Sequence, residues 1–234
     1  LELFGHGRST SPTDDQVYRP DGYIAAFETI RSTLGIDSWM TLGYSLGAGL
    51  TLRYGLTHPT RIDAQCFTNS ISAFRDESSN REFTDNAAAT IRHYDNEGMA
   101  AINKIPVHPR YAKRLDERTK TALLEDADQL SPAGVARTIV YTNGYASVRS
   151  IVHNNTVPAL LLCGTYEKRF HASRQYACQN MPHLDVIDLP AGHAVNAEAP
   201  QIFNKAMIEF IGKHTPPNGQ QHAKSSQYST TYTP

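Results

Sequence analysis

Hydrophobic positions along the chain follow two alternating patterns. Short apolar runs at 38–43, 63–69, 157–164 and 184–190 have the length of buried strands. Segments with apolar residues three and four positions apart, as in amphipathic helices, accompany them: PDGYIAAFETIRSTLG, AGLTLRYGLTHP and PQIFNKAMIEFIG. Strands that alternate with helices predict a mostly parallel sheet covered by helices on both faces, the α/β class.

One long stretch interrupts this alternation. Between 78 and 150 the chain is polar and helical in pattern, and Ser131 and Pro132 suit the N-cap and first position of a helix. We therefore expect one core built from 1–77 and 151–213, with a helical cap inserted at 78–150. The remaining 214–234 is rich in Ser, Thr, Gln and Pro, and this composition predicts disorder.

Composition narrows the possible partners. Charged residues make up 19% of the 234 residues and the net charge is −1, which argues against binding to nucleic acid or to an anionic membrane surface. No apolar run approaches the ~18 residues of a membrane span. Cys66, Cys163 and Cys178 are odd in number and lack CxxC spacing, so we expect buried free thiols in a reducing compartment, the cytoplasm. No metal or organic cofactor is implied, and the oligomeric state is left open.

The segment GYSLG, at 43–47, carries the clearest chemical signal. A buried strand leads into it and a helix rich in small residues leaves it, which is the context of a nucleophile elbow. Such a turn holds Ser45 above the sheet, and the N–H of Leu46 at the helix start can bind an oxyanion. We expect glycine to be required at both 43 and 47, because a side chain at either position would keep the strand and the helix from passing closely. The competing interpretation is an ordinary strand–helix turn in which Ser45 is a helix N-cap.

A nucleophilic serine needs a base and a carboxylate that orients it. Among ten histidines, His193 follows the last predicted strand at the edge of the sheet where Ser45 lies. Glu167, three residues beyond Gly164, is the carboxylate expected to fix the tautomer of His193. The basic residues 168 and 169 leave open that Glu167 is only a surface ion-pair partner.

These segments together resemble the α/β-hydrolase fold, in which the chain order is Ser, acid, His. VPALLLCGTYEKRF and PAGHAVNAEAPQIFNKAMIEF are similar to the acid and histidine segments of enol-lactone and C–C bond hydrolases. That group usually has Asp where this chain has Glu167. LFGHGRST, at 3–10, resembles the loop after the fourth strand of these enzymes. The resemblance then implies that three strands and one helix precede Leu1, together with a second oxyanion donor.

The resemblance implies a serine hydrolase that acts on a small ester, lactone or related carbonyl compound without a cofactor. Tyr44 and His6 are expected beside the substrate, His6 at the rim rather than in the chemistry. A moderately apolar pocket is expected from five residues of the cap: Tyr94, Ile102, Ile105, Val107 and Tyr111. Three alternatives stay open: a C–C bond hydrolase, a cofactor-free haloperoxidase or perhydrolase, and a non-catalytic ligand-binding protein of the same fold.

Overall fold

A computed structural model describes residues 1–215 of the chain. Its centre is a parallel four-stranded sheet in which the strands are adjacent in chain order. The strands are β1 (Trp39–Gly43), β2 (Ile62–Thr68), β3 (Ala159–Gly164) and β4 (Leu184–Leu189). Each lies within two residues of the predicted bounds. Because all four are parallel, their carboxyl ends meet at one edge of the sheet.

Alternate residues of the central strands face opposite helical layers. Ala159, Leu161 and Cys163 of β3 pack on one face against helices α2 (Leu46–Thr57) and α9 (His171–Asn180). Leu160 and Leu162 pack on the other face against helix α11 (Pro200–His214), chiefly against its Phe203 and Phe210. Both faces of β3 are therefore covered, which explains its continuous run of apolar residues.

Helix α1 (Pro20–Thr33) closes the end of the core beside β1. Tyr23, Ile24 and Phe27 project from it onto Leu50 and Tyr54 of α2. Pro20 occupies the first turn, where its missing N–H costs nothing, and Gly35 follows the helix with φ of +66°. The predicted helix is thus confirmed at both ends.

The segment between β2 and β3 is helical. It contains α3 (Ile71–Phe74), α4 (Glu77–Asp85), α5 (Ala87–Glu97), α6 (Met99–Ile102), α7 (Glu117–Ala127) and α8 (Pro132–Arg137), followed by a π-helical turn at Thr138–Asn143. The Ser131 hydroxyl accepts the Gly134 N–H and so caps α8 as expected. The pocket prediction fails for Tyr94 and Ile102, which are buried with Val135 in a separate apolar cluster of this helical segment.

Short elements complete the described chain: 3-10 turns at Asp15–Tyr18, Pro59–Arg61, Pro109–Tyr111, Val152–Asn154 and Lys168–Phe170, and helix α10 (Val195–Glu198). No helix among residues 1–215 is both long enough and apolar enough to cross a membrane. Cys66 and Cys163 are buried free thiols, but Cys178 is exposed because it lies on the solvent side of α9. The tail was predicted to be disordered over 214–234, and its residues beyond 215 lie outside the described part of the chain.

Candidate active site

The turn between β1 and α2 holds Ser45 in a strained conformation. Its φ of +50° and ψ of −115° lie outside the regions that a serine normally occupies. A Cβ at Gly43 would lie 2.2 Å from the Thr51 hydroxyl and 2.5 Å from the Gly47 carbonyl oxygen, so only glycine fits there. The same expectation is wrong for Gly47, because a Cβ there would point into open space. One glycine of the motif therefore sets the close approach of strand and helix.

Hydrogen bonds anchor this turn to the neighbouring strand and leave a donor at the helix start. The Ser45 N–H donates to the Thr68 hydroxyl at the end of β2, at 2.9 Å. The next N–H, that of Leu46, is the first of helix α2 and belongs to the group that has no acceptor within the helix. It therefore stands beside the serine, where a developing negative charge would be stabilised.

The loop after β4 brings His193 to the serine. The Nε2 atom of His193 lies 2.8 Å from the Ser45 Oγ, although 148 positions separate the two residues. The Glu198 carboxylate accepts the Gly192 N–H at 2.7 Å and so fixes the backbone immediately before the histidine. The imidazole is partly covered, with 27% of its side chain exposed. A proton can thus pass directly from the serine hydroxyl to this ring.

Glu167 completes the arrangement from the loop that follows β3. Its Oε2 lies 2.9 Å from the His193 Nδ1, and only 10% of its side chain is exposed. Burial by itself would raise the pKa of Glu167, but the hydrogen bonds from His193 and Asn69 outweigh it, and the pKa lies below its ordinary 4.5. Glu167 is therefore ionised at neutral pH, and it is not the exposed ion-pair partner that the sequence left open.

The charge of Glu167 fixes where the imidazole carries its proton. An ionised carboxylate can only accept, so Nδ1 of His193 must be the nitrogen that bears hydrogen. Nε2 is then the acceptor, and the Ser45 hydroxyl donates to it. This is the tautomer that a general base facing a serine requires.

The two residues expected beside the substrate have different surroundings. The Tyr44 ring lies 5.6 Å from the imidazole of His193, between ring centres, at the open side of the site. Partial burial and the carboxylates of Glu167 and Glu198 raise the pKa of Tyr44 to about 12, so its phenol stays neutral. The described contacts of His6 lie instead within its own loop, where Nδ1 meets the Phe4 carbonyl oxygen at 2.9 Å.

The loop around His6 packs against the start of helix α8. The Gly5 carbonyl accepts the Ser131 N–H at 2.9 Å, and a Cβ at Gly5 would lie 2.5 Å from the Cα of Gly134. The glycine there, with φ of +75°, allows this close contact with the start of α8. The loop's described contacts thus link the N-terminal segment to the helical segment between β2 and β3.

Sequence reasoning missed two polar residues at the end of β2. Thr68 holds the Ser45 turn, and Asn69 donates to both the Gly164 carbonyl and the Glu167 carboxylate. Their position directly after a buried strand, at the edge of the sheet that carries the site, was the signal available for finding them. Among the residues described, no group of three or more His, Cys, Asp or Glu side chains could hold a metal ion.

Comparison with known proteins places the chain in a family. Residues 1–200 match the family model of the alpha/beta hydrolase fold. A Bacillus subtilis (strain 168) protein provisionally named 2-succinyl-6-hydroxy-2,4-cyclohexadiene-1-carboxylate synthase is 24% identical over 226 residues, which are 90% of this chain and 79% of that protein. A (lyso)-N-acylphosphatidylethanolamine lipase of Mus musculus is 40% identical over 64 residues, covering 26% of this chain and 19% of the lipase.

Solved structures agree with this fold. MenH from S. aureus matches with a TM-score of 0.77 at 18% identity, over 92% of this chain and 82% of that one. The enol-lactonase from Burkholderia xenovorans LB400 matches with a TM-score of 0.74 at 20% identity, over 90% and 78% of the two chains. Since the family model covers most of the sequence and the structure has the expected sheet, the chain belongs to the α/β-hydrolase fold family and is a hydrolase of that family.

Proposed function

We propose that the protein is a serine hydrolase that cleaves a small ester or lactone through an acyl-enzyme. The observation that carries the proposal is the 2.8 Å separation between the Ser45 Oγ and the His193 Nε2, with Glu167 on the other ring nitrogen. The competing role for Ser45 as a helix N-cap has no support, because its side chain makes no capping hydrogen bond in the structure.

The proposed reaction has two halves. In the first, His193 takes the hydroxyl proton while the Ser45 Oγ attacks the carbonyl carbon, and the Leu46 N–H stabilises the oxyanion. The tetrahedral intermediate collapses, the C–O bond to the leaving alcohol breaks, and His193 returns its proton to that alcohol. In the second, His193 removes a proton from water while the water oxygen attacks the acyl carbon, and His193 then returns that proton to the Ser45 Oγ as the Oγ–acyl bond breaks and the acid leaves. Glu167 stabilises the imidazolium in both halves.

The relatives support a small carbonyl substrate. The proteins similar to this chain include a lipase and a 2-succinyl-6-hydroxy-2,4-cyclohexadiene-1-carboxylate synthase, and the structural neighbours include an enol-lactonase and carboxylesterases. An ester or lactone fits the serine nucleophile with no co-reactant besides water. We propose a cytoplasmic location, because Cys66, Cys163 and Cys178 are free thiols and free thiols persist in a reducing compartment.

Hydrolysis of short p-nitrophenyl esters tests this proposal. Ser45→Ala and His193→Ala should each lower kcat/KM for p-nitrophenyl acetate by at least about 10³-fold, and the double variant should be no worse than either one. Ser32→Ala, at an exposed position of α1, is the matched control and should keep the wild-type rate. Turnover that survives in Ser45→Ala would refute the nucleophile. Ser45-dependent chemistry on a C–C substrate, without ester hydrolysis, would favour the C–C hydrolase alternative.

A further inference from the structure

Asn69 is a fully buried polar residue between two loops of the site. It follows β2 directly, and its side chain has 0% exposure. Its Oδ1 accepts the Gly164 N–H at 2.9 Å, and its Nδ2 donates to the Gly164 carbonyl oxygen at 2.9 Å. The same Nδ2 also donates to the Glu167 Oε2 at 3.0 Å. One side chain thus holds both the start of the acid loop and the carboxylate at its tip.

These contacts fix the orientation of the amide. The two bonds to the Gly164 backbone require the amide oxygen beside the Gly164 N–H and the amide NH₂ beside the Gly164 carbonyl. If the oxygen and nitrogen were exchanged, two donors would face each other in one contact and two acceptors in the other. The NH₂ group must therefore face Glu167. It meets the same carboxylate oxygen that accepts from the His193 Nδ1.

We propose that Asn69 is the positioning residue for the catalytic carboxylate, acting on the reaction only through Glu167. The inference rests on the proposed serine-hydrolase function. Glutamate has one more rotatable bond than the aspartate usual in similar enzymes, so its carboxylate has more positions to adopt. The Asn69 donor selects the one in which Oε2 faces the imidazole. The longer side chain can serve at this position because the neighbouring strand supplies that donor.

Only asparagine among small side chains meets all the requirements of the position. It offers one acceptor and two donor hydrogens within a short planar group. Aspartate would keep the acceptor for the Gly164 N–H but would place a carboxylate oxygen against the Gly164 carbonyl and Glu167. Alanine would remove the contacts altogether and leave buried Gly164 backbone groups without these partners.

A double-mutant cycle tests whether Asn69 works through Glu167. We measure kcat/KM for p-nitrophenyl acetate in wild type, Asn69→Ala, Glu167→Ala and the double variant. Each rate is expressed per titrated active site, after the background rate of Ser45→Ala has been subtracted. Losing one hydrogen bond to a charged group should cost Asn69→Ala about 10- to 100-fold in rate. In the Glu167→Ala background the same change should alter the rate by less than about twofold, because no carboxylate remains to be positioned.

Two further variants provide a control and a substitute for Asn69→Ala. Asn155→Ala is the control, because Asn155 is a buried asparagine that bonds Gln65 and the backbone at the opposite ends of the strands. It should lower thermal stability and leave kcat/KM unchanged. Asn69→Ser adds no charge and keeps a hydroxyl at the position, so it replaces Asn69→Ala in the cycle if the alanine variant does not fold. It lacks the amide donor that meets Glu167 and should therefore show the same dependence on Glu167.

The outcomes separate this inference from the function on which it rests. A rate loss confined to the background that contains Glu167 supports the positioning role. Equal losses in both backgrounds would show that Asn69 only maintains the fold, and an unchanged rate in Asn69→Ala would show that it does nothing for the reaction. Wild-type protein without Ser45-dependent turnover would refute the proposed function itself, and the role of Asn69 with it.

Discussion

Replacing Glu167 by glutamine tests how the site chooses a histidine tautomer. In a serine triad the matching amide substitution typically costs about 10⁴-fold in kcat, because the amide NH₂ faces the histidine and stabilises the wrong tautomer. Here the Asn69 Nδ2 lies 3.0 Å from the carboxylate oxygen that faces His193. A glutamine NH₂ in that place would oppose the Asn69 NH₂, whereas its oxygen would keep both hydrogen bonds. We therefore expect the correct tautomer to survive.

What the substitution removes is the charge that stabilises the imidazolium. With 2.9 Å between the Glu167 Oε2 and the His193 Nδ1, the charge centres lie roughly 4 Å apart, and their attraction is about 4 kcal/mol at an effective dielectric constant of about 20. Because that figure is an upper value for the net loss, Glu167→Gln should lower kcat by about 10²- to 10³-fold. Adding Asn69→Ala should lower kcat about tenfold more, since the glutamine amide can then rotate and place its NH₂ towards His193.

Stopped-flow and steady-state hydrolysis of p-nitrophenyl acetate by Glu167→Gln supplies the measurement, with circular dichroism as the control for folding. A loss of 10⁴-fold or more would refute the argument that Asn69 selects the glutamine oxygen. A rate close to wild type would mean that the orienting carboxylate is not Glu167.

Three stability predictions follow from the packing. Gly43→Ala should lower the melting temperature strongly and Gly47→Ala should raise it slightly, because a Cβ at Gly43 meets Thr51 and backbone atoms whereas one at Gly47 meets nothing within 4 Å; equal effects in thermal melts would contradict this. Phe210→Ala should cost about 3–5 kcal/mol in urea unfolding, since Phe210 is 4% exposed beneath the sheet; a cost below about 1 kcal/mol would show that α11 packs loosely. Hydrogen bonds from Arg31 and Tyr54 lower the pKa of Glu28 from 4.5 to about 2, so its stabilisation is complete above pH 4.5 and disappears as the pH falls towards 2. Glu28→Gln should therefore lower the urea midpoint at pH 7 and differ progressively less from wild type below pH 4.5, and a difference that grows with acid would refute the assignment.

The strands and the main helices could be predicted because their signals are local. The run VPALLLCG has the length and apolarity of a strand buried on both faces, and β3 packs against helices on both of its faces. The meeting of Ser45 and His193 could also be predicted, since a strand–turn–helix context and the edge of a parallel sheet bring the two residues to the same place.

Features of the site and core that depend on tertiary contacts could not be predicted from the sequence. Nothing local in the sequence distinguishes Asn69 from other asparagines that follow strands, because its partner Gly164 is 95 positions away. The role of Gly47 was misjudged for a similar reason: the motif treats both glycines alike, but only Gly43 meets the opposite backbone. Tyr94 and Ile102 were expected in a pocket as apolar residues of the predicted cap, and the sequence does not show that Val135 and its neighbours cover them.

Trapping the serine is the most direct test of the central claim. The protein is incubated with a fluorophosphonate, and the modified peptide is located by mass spectrometry in wild type, Ser45→Ala and His193→Ala. The account predicts one covalent adduct, on Ser45, that is absent from Ser45→Ala and forms at least about 10³-fold more slowly in His193→Ala. An unlabelled Ser45 in folded wild-type protein, or an adduct that forms equally fast without His193, would contradict it.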